Sequence, residues 1–120
     1  MHELSIAAAV VDIAERHAAG RRVVGIDVQV GRLRQVVPDS LALAFQLITH
    51  ETALDGAELR IKEVPVRARC ERCGAESELD QFPFACALCT SFDVELLAGE
   101  ELLVESLELE EAPQTRIGAM

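Results

Sequence analysis

The sequence predicts an α+β fold, two helices and a three-stranded sheet, interrupted before the last strand by a small cysteine lobe. Three observations predict it. Two segments repeat apolar residues at helical spacing. Three others read as strands. Four cysteines fall in two close pairs between the second and third strands.

The first helix runs from Leu4 to Ala19. Leu4, Ala7, Ala8, Val11 and Ala14 form its apolar stripe, Asp12, Glu15 and Arg16 lie mostly off it, and Gly20 supplies the stop. The first strand, Val23 to Val30, sets Val24, Ile26, Val28 and Val30 against Gly25, Asp27 and Gln29, and Gly31 closes it. A second helix begins at Pro38, a residue favoured in a first turn, with Asp39 near the positive helix end. Leu41, Ala44, Phe45 and Ile48 give it an apolar face. Asp55-Gly56 is a turn signal. Leu59 and Ile61 open the second strand, and Val64 and Val66 continue it in the opposite phase, which predicts a bulge near Glu63. The third strand spans Glu101 to Glu110, mixing Leu and Val with Glu, and the charge run from Glu100 to Glu111 is its polar side. Two short linkers, near Arg67 and near Leu97 to Gly99, join the cysteine lobe to the sheet.

The chain has 120 residues, 50% of them hydrophobic, but only four Phe and no Trp or Tyr, so its core rests on Leu, Val, Ile and Ala. The formal net charge of -10 argues against nonspecific nucleic-acid binding and against attraction to anionic membranes. It suits cationic partners, metal ions included. No apolar run approaches the eighteen or so residues that span a bilayer. Met1-His2-Glu3-Leu4 has no basic region leading into an apolar one, so a cytoplasmic protein is expected. Thiols stay reduced there, which favours metal over disulfide for paired cysteines.

The pairs are Cys70/Cys73 and Cys86/Cys89, each C-x2-C, with twelve residues between them. Two such knuckles supply a closed tetrahedron of thiolates, which Zn²⁺ accepts because its filled d shell imposes no other geometry. Gly74 follows the first pair, where a knuckle often needs a positive φ. With every position filled by protein, the site is structural. Two disulfides, a redox dithiol and a rubredoxin-like iron site are the competing readings. Compartment disfavours the first, the matched pairs the second, and the scarcity of aromatics the third. The lobe is acidic, with Glu71, Glu76, Glu78, Asp80, Asp93 and Glu95 against Arg69 and Arg72, so it lacks the basic footprint of a nucleic-acid-binding ribbon.

The opening Met1-His2-Glu3 is by itself a weak signal, because a His in that place is usually just solvated. Its chemistry adds interest. A bulky second residue disfavours removal of Met1, which leaves the α-amine, the first backbone nitrogens and an imidazole within chelate range. Such a nitrogen-rich set suits Ni²⁺ or Cu²⁺. Amide nitrogens bind only when deprotonated, so affinity should rise with pH. His17 and His50 sit near helix C-termini, where an imidazolium is favourable, and read as structural rather than ligating.

Taken together, these features resemble the HypA/HybF family of nickel metallochaperones. The resemblance covers Met1-His2-Glu3-Leu4-Ser5, the strand ending at Val30-Gly31, the helix with Ala44-Phe45, the Gly56 to Ile61 strand, the four cysteines and the closing run from Glu101-Leu102 to Ser106-Leu107-Glu108. It implies a non-enzymatic carrier that delivers Ni²⁺ during assembly of [NiFe]-hydrogenase, and in some bacteria also serves urease. It implies a nickel site of the His2 imidazole with backbone nitrogens of Met1, His2 and Glu3, and a structural zinc on Cys70, Cys73, Cys86 and Cys89. The implied partners are a HypB-type GTPase and the hydrogenase large subunit. The expected organisation is a discontinuous nickel-binding domain (1–66 and 98–111), an inserted zinc-ribbon lobe (67–97) and a flexible tail (112–120). A monomer or a weak, domain-swapped dimer is expected. The rival functions are a zinc-ribbon interaction module without nickel and a redox protein.

Overall fold

The structure is a computed structural model that describes residues 2–80 and 82–110. The expected tail at 112–120 lies outside the described residues. The order of elements is α1 (His2–Ala18), β1 (Val23–Gly31), a 3₁₀ turn (Arg32–Arg34), α2 (Pro38–Thr49), β2 (Glu58–Val64), β3 (Val66–Cys70), β4 (Glu76–Leu79), β5 (Val94–Ala98) and β6 (Leu102–Leu109). Two three-stranded sheets result, ordered β2-β1-β6 and β4-β3-β5. Two helices and a three-stranded sheet were expected, and both are present. The cysteine segment adds a second small sheet of its own. Among the described residues no helix is long and apolar enough to cross a membrane.

The chain divides into two compact units. One comprises the described residues of Met1–Val28, Val36–Ile61 and Val104–Met120, and the other Gln29–Gln35 and Lys62–Leu103. In the first, α1 packs on α2. The buried face of α1 is Ile6, Ala7, Val10, Ala14 and Ala18. This corrects the expected stripe, because Leu4 is 42% exposed and Ala8 is exposed as well. The helix is rich in alanine on all sides, so two adjacent lines of residues fit the 3.6 period. The line that carries Ile6 and Val10 is the one buried. The helix ends where Ala19 and Gly20 both turn left-handed, at φ 51° and 88°.

Helix α2 buries Leu41 and Phe45 and, less expectedly, Thr49. The Thr49 hydroxyl donates to the Phe45 carbonyl at 2.7 Å, which satisfies a polar group in an apolar setting. Val23, Ile26 and Val28 of β1 and Leu54 complete this core.

The change of phase falls between Ile61 and Val64, inside β2. Pro65 ends β2 and separates it from β3, which belongs to the other sheet. A proline has no N–H for the ladder, so it marks a strand boundary here. Arg67 and Leu97, expected in linkers, lie inside β3 and β5.

In the second unit β3 is central. It pairs antiparallel with β4, Val66 opposite Leu79, and with β5, Cys70 opposite Val94, with a register irregularity between Arg67 and Ala68. The core of this unit is small: Val66, Ala68 and Leu79, with Leu33, Phe84 and Val94 packed against it. Leu33 comes from the 3₁₀ turn. Arg32 on the same turn pairs with Glu63 and Asp80, and Arg34 donates through Nε to the Glu100 carbonyl at 2.9 Å.

Candidate metal centres

The two C-x2-C segments fold into two matching turns. In the first, the Gly74 N–H donates to the Cys70 carbonyl at 2.9 Å, and the Cys70 N–H donates to Ala75 at 2.8 Å. In the second, the Thr90 N–H donates to the Cys86 carbonyl at 3.0 Å, and the Cys86 N–H donates to Ser91 at 2.8 Å. Each turn aims two N–H groups at its first sulfur. Arg72 and Cys73 donate to Cys70 Sγ, and Leu88 and Cys89 donate to Cys86 Sγ, all at 3.4 Å. Cys70 and Cys86 are 2% and 4% exposed. Cys73 and Cys89 are exposed, and all four are free of disulfide.

The four sulfurs converge, each within 4.8 Å of the others. Cys70 Sγ is 3.6 Å from Cys89 Sγ, and Cys73 Sγ is 3.6 Å from Cys86 Sγ. A tetrahedral zinc–thiolate site would place its sulfurs about 3.8 Å apart. The donor set therefore fits zinc, and the cluster can hold it.

The local field acts differently on the two sulfurs of each knuckle. The Cys89 N–H, then the Leu88 N–H, pull the Cys86 thiol down to about 6. The Cys73 N–H, with that of Arg72, lowers Cys70 against the effect of burial. At Cys73 the Ala75 N–H pulls downward, but the Cys86 sulfur, burial and the neighbouring thiols outweigh it and push the group up to about 11. At Cys89 the Ser91 N–H is likewise outweighed, chiefly by the Cys70 sulfur, and the thiol is raised. Each knuckle thus pairs one N–H-cradled sulfur whose pKa is lowered with one whose pKa is raised.

Gly74 has φ +78°, as its place after the first pair predicts. Thr90 occupies the same place in the second knuckle with φ 62°, a conformation that crowds its Cβ. Sequence reading passes over this because the second pair has no glycine. The matching of the two knuckles was the signal. Thr90→Gly should therefore stabilise the metal-loaded protein by about 1 kcal/mol, the left-handed penalty relieved, less the lost hydroxyl bond to the Cys89 carbonyl. A rise of a few degrees in thermal midpoint checks this, and a fall would show that the side chain matters more than its backbone.

The N-terminal residues are arranged differently. His2 is exposed and is the first residue of α1. Ser5 Oγ donates to the His2 carbonyl at 3.1 Å. The Glu3 carboxylate accepts the Val37 N–H at 3.1 Å. That bond, and then its own backbone N–H, hold the Glu3 carboxyl below the usual carboxylate range. Sequence reading missed the Glu3–Val37 contact, which spans 34 residues. Met1 lies outside the described residues.

Among the described residues, the four cysteines are the group of His, Cys, Asp and Glu whose donors lie close enough to share an ion. His17 and His50 are not in it. His17 Nδ1 donates to the Ile13 carbonyl at 2.9 Å, and His50, just past α2, lies 3.9 Å from the carboxylates of Glu51 and Asp55. Arg69, one of the lobe's expected positive charges, is paired with Glu95 and Glu76.

Comparison with known proteins places this arrangement. A family model described as hydrogenase/urease nickel incorporation, metallochaperone, HypA, matches residues 1–109. The hydrogenase maturation factor HypA of Geotalea uraniireducens is 44% identical over 110 residues, spanning 92% of this chain and 100% of that protein. Its counterpart in Geobacter metallireducens is 41% identical over the same shares. The solution structure of the nickel metallochaperone HypA from Helicobacter pylori superposes with a TM-score of 0.64 at 23% identity, covering 91% of this chain and 97% of that one. That likeness bears on the fold, whereas the family match and the two close relatives bear on descent. On that basis the chain belongs to the HypA family of hydrogenase and urease nickel-incorporation metallochaperones.

Proposed function

We propose that this protein carries Ni²⁺ at its N-terminus and hands it over during maturation of [NiFe]-hydrogenase, while Cys70, Cys73, Cys86 and Cys89 hold one structural zinc ion. The observation that carries the reading is the family match over residues 1–109, which includes both the Met1-His2-Glu3 opening and all four cysteines. In this reading His2 supplies an imidazole, and backbone nitrogens of Met1, His2 and Glu3 complete much of the set. The nickel-carrying part is residues 1–66 with 98–111, and the zinc lobe is 67–97. The protein works in the cytoplasm and passes its cargo without catalysing a reaction. Its partners are a HypB-type GTPase and the hydrogenase large subunit, with urease as a second client.

Several physical points support this. The exposed position of His2 suits a site from which nickel must leave again. A chain of net charge -10 attracts divalent cations. Selectivity over copper has to come from supply and partner recognition, because Cu²⁺ wins on raw affinity at nitrogen sites.

The test is a Ni²⁺ titration of the untagged protein, with intact mass confirming an unmodified Met1. Replacing His2 by Ala, or adding one residue ahead of Met1, removes a ring or an amine donor from the chelate. Each change should weaken binding by about a hundredfold, as loss of a good ligand does at a metal site. Equal affinity in the parent and both variants would instead leave a zinc-ribbon interaction module.

A further inference from the structure

Helix α2 begins without a cap of its own. Its N-cap residue is Val37, which makes no side-chain capping bond, and Pro38 follows at the first helical position. In the usual capping box, a Glu at the third helical position reaches back to the N-cap N–H. Here that position holds Ser40. The N–H of Val37 is instead accepted by Glu3 Oε2, from the first turn of α1. The positive end of α2 favours a carboxylate at this place. Glu3 therefore plays the capping-box acid for another helix, and does so from inside the Met1-His2-Glu3 segment.

We infer that Glu3 is a positioning residue, whose carboxylate fastens the N-terminal donor segment to the start of α2 and so couples nickel occupancy to the order of α2's first turn. This rests on the reading of nickel at the N-terminus. A bond from Glu3 to Val37 restrains the Glu3 backbone, and with it the adjoining His2. Restraint before binding lowers the ordering cost when a metal gathers those nitrogens. The same coupling must work in reverse, since linkage between two events is reciprocal. A metal that orders the segment also strengthens the cap on α2. The side chain that would otherwise be a candidate oxygen ligand is thereby committed to a peptide N–H.

Glu3→Ala and Glu3→Gln separate this from other roles. Glutamine keeps an acceptor oxygen for Val37, and alanine does not. The readouts are Ni²⁺ titration and amide hydrogen exchange across residues 36–41 in the full-length, zinc-loaded protein. In the metal-free state Glu3→Ala should speed exchange at Val37 by about tenfold and weaken Ni²⁺ binding by a similar factor, a typical coupling. Glu3→Gln should recover most of both, and Ni²⁺ should slow Val37 exchange in the parent. Unchanged exchange or unchanged affinity in Glu3→Ala would overturn the inference. So would a Glu3→Gln variant that protects Val37 yet binds Ni²⁺ as weakly as Glu3→Ala, which would make the carboxylate a ligand. A His2→Ala variant that binds as tightly as the parent would overturn the N-terminal site itself, whichever way Val37 behaves.

Discussion

Replacing Cys70 or Cys86 by Ala should unfold residues 62–103 while leaving the α1–α2 unit helical. The apolar core around residues 62–103 consists of Val66, Ala68 and Leu79, helped by Leu33, Phe84 and Val94. A cluster this small cannot offset the entropy of ordering some forty residues, at about 1–2 kcal/mol each for the backbone. A structural zinc contributes on the order of 10–16 kcal/mol in small domains, because the site exists only in the folded state. Cys70 and Cys86 are the buried sulfurs, and each is the acceptor of two N–H groups. Truncating one removes a ligand and strands those donors. Limited proteolysis should cut the lobe of the variants and spare it in the parent, while far-ultraviolet circular dichroism keeps its helical signal. A strong chelator at mildly acid pH should reproduce the effect, since protons compete with the metal for the thiolates. Zinc by elemental analysis, with a colourless protein, separates this site from an iron–thiolate one. Protease resistance of the lobe in a Cys70→Ala protein shown to be free of metal would defeat the structural role.

Gly31→Ala should cost the protein more than about 3 kcal/mol, among the larger effects of adding a single methyl group. The reason is space. Gly31 has φ -69°, which any residue adopts. A Cβ there would lie 2.1 Å from the Gly99 carbonyl oxygen, 2.2 Å from its carbon and 2.6 Å from the Glu100 nitrogen. All three are backbone atoms, with no flexible side chain to give way. The same two segments are stitched together by hydrogen bonds, Gly31 N–H to the Glu101 carbonyl at 2.7 Å and Leu33 N–H to the Gly99 carbonyl at 2.8 Å. Moving apart to admit the methyl would break these and withdraw Leu33 from its core. Urea unfolding of the zinc-loaded variant measures the loss. A change below about 1 kcal/mol would mean that the two segments can separate freely.

The elements were legible in the sequence wherever a local rule sufficed. Pro38 opens α2, Gly20 follows α1, Asp55-Gly56 marks a turn, and valine alternation marks β1. The paired cysteines announced a metal cluster because two C-x2-C turns have few other uses, and the sulfurs do converge. Local rules failed where two answers fit the same residues. The alanine-rich α1 admits two apolar faces, and only packing in the folded chain chooses between them. The run from Leu59 to Val66 reads as one strand, and the partner strands divide it at Pro65 into β2 and β3, which lie in different sheets.

The sequence by itself determined what depends on neighbours along the chain: helix starts and stops, strand alternation, and ligand spacing within each knuckle. The tertiary structure decided what depends on residues distant in sequence. It gave Leu33 a place in the lobe's core, set the backbone of Gly99 against Gly31, and brought the carboxylate of Glu3 to the uncapped start of α2. The physical reason is one of range. Torsional preference and hydrogen bonding within a turn act over a few residues and leave a pattern there, whereas packing and long-range capping are settled by which surfaces meet.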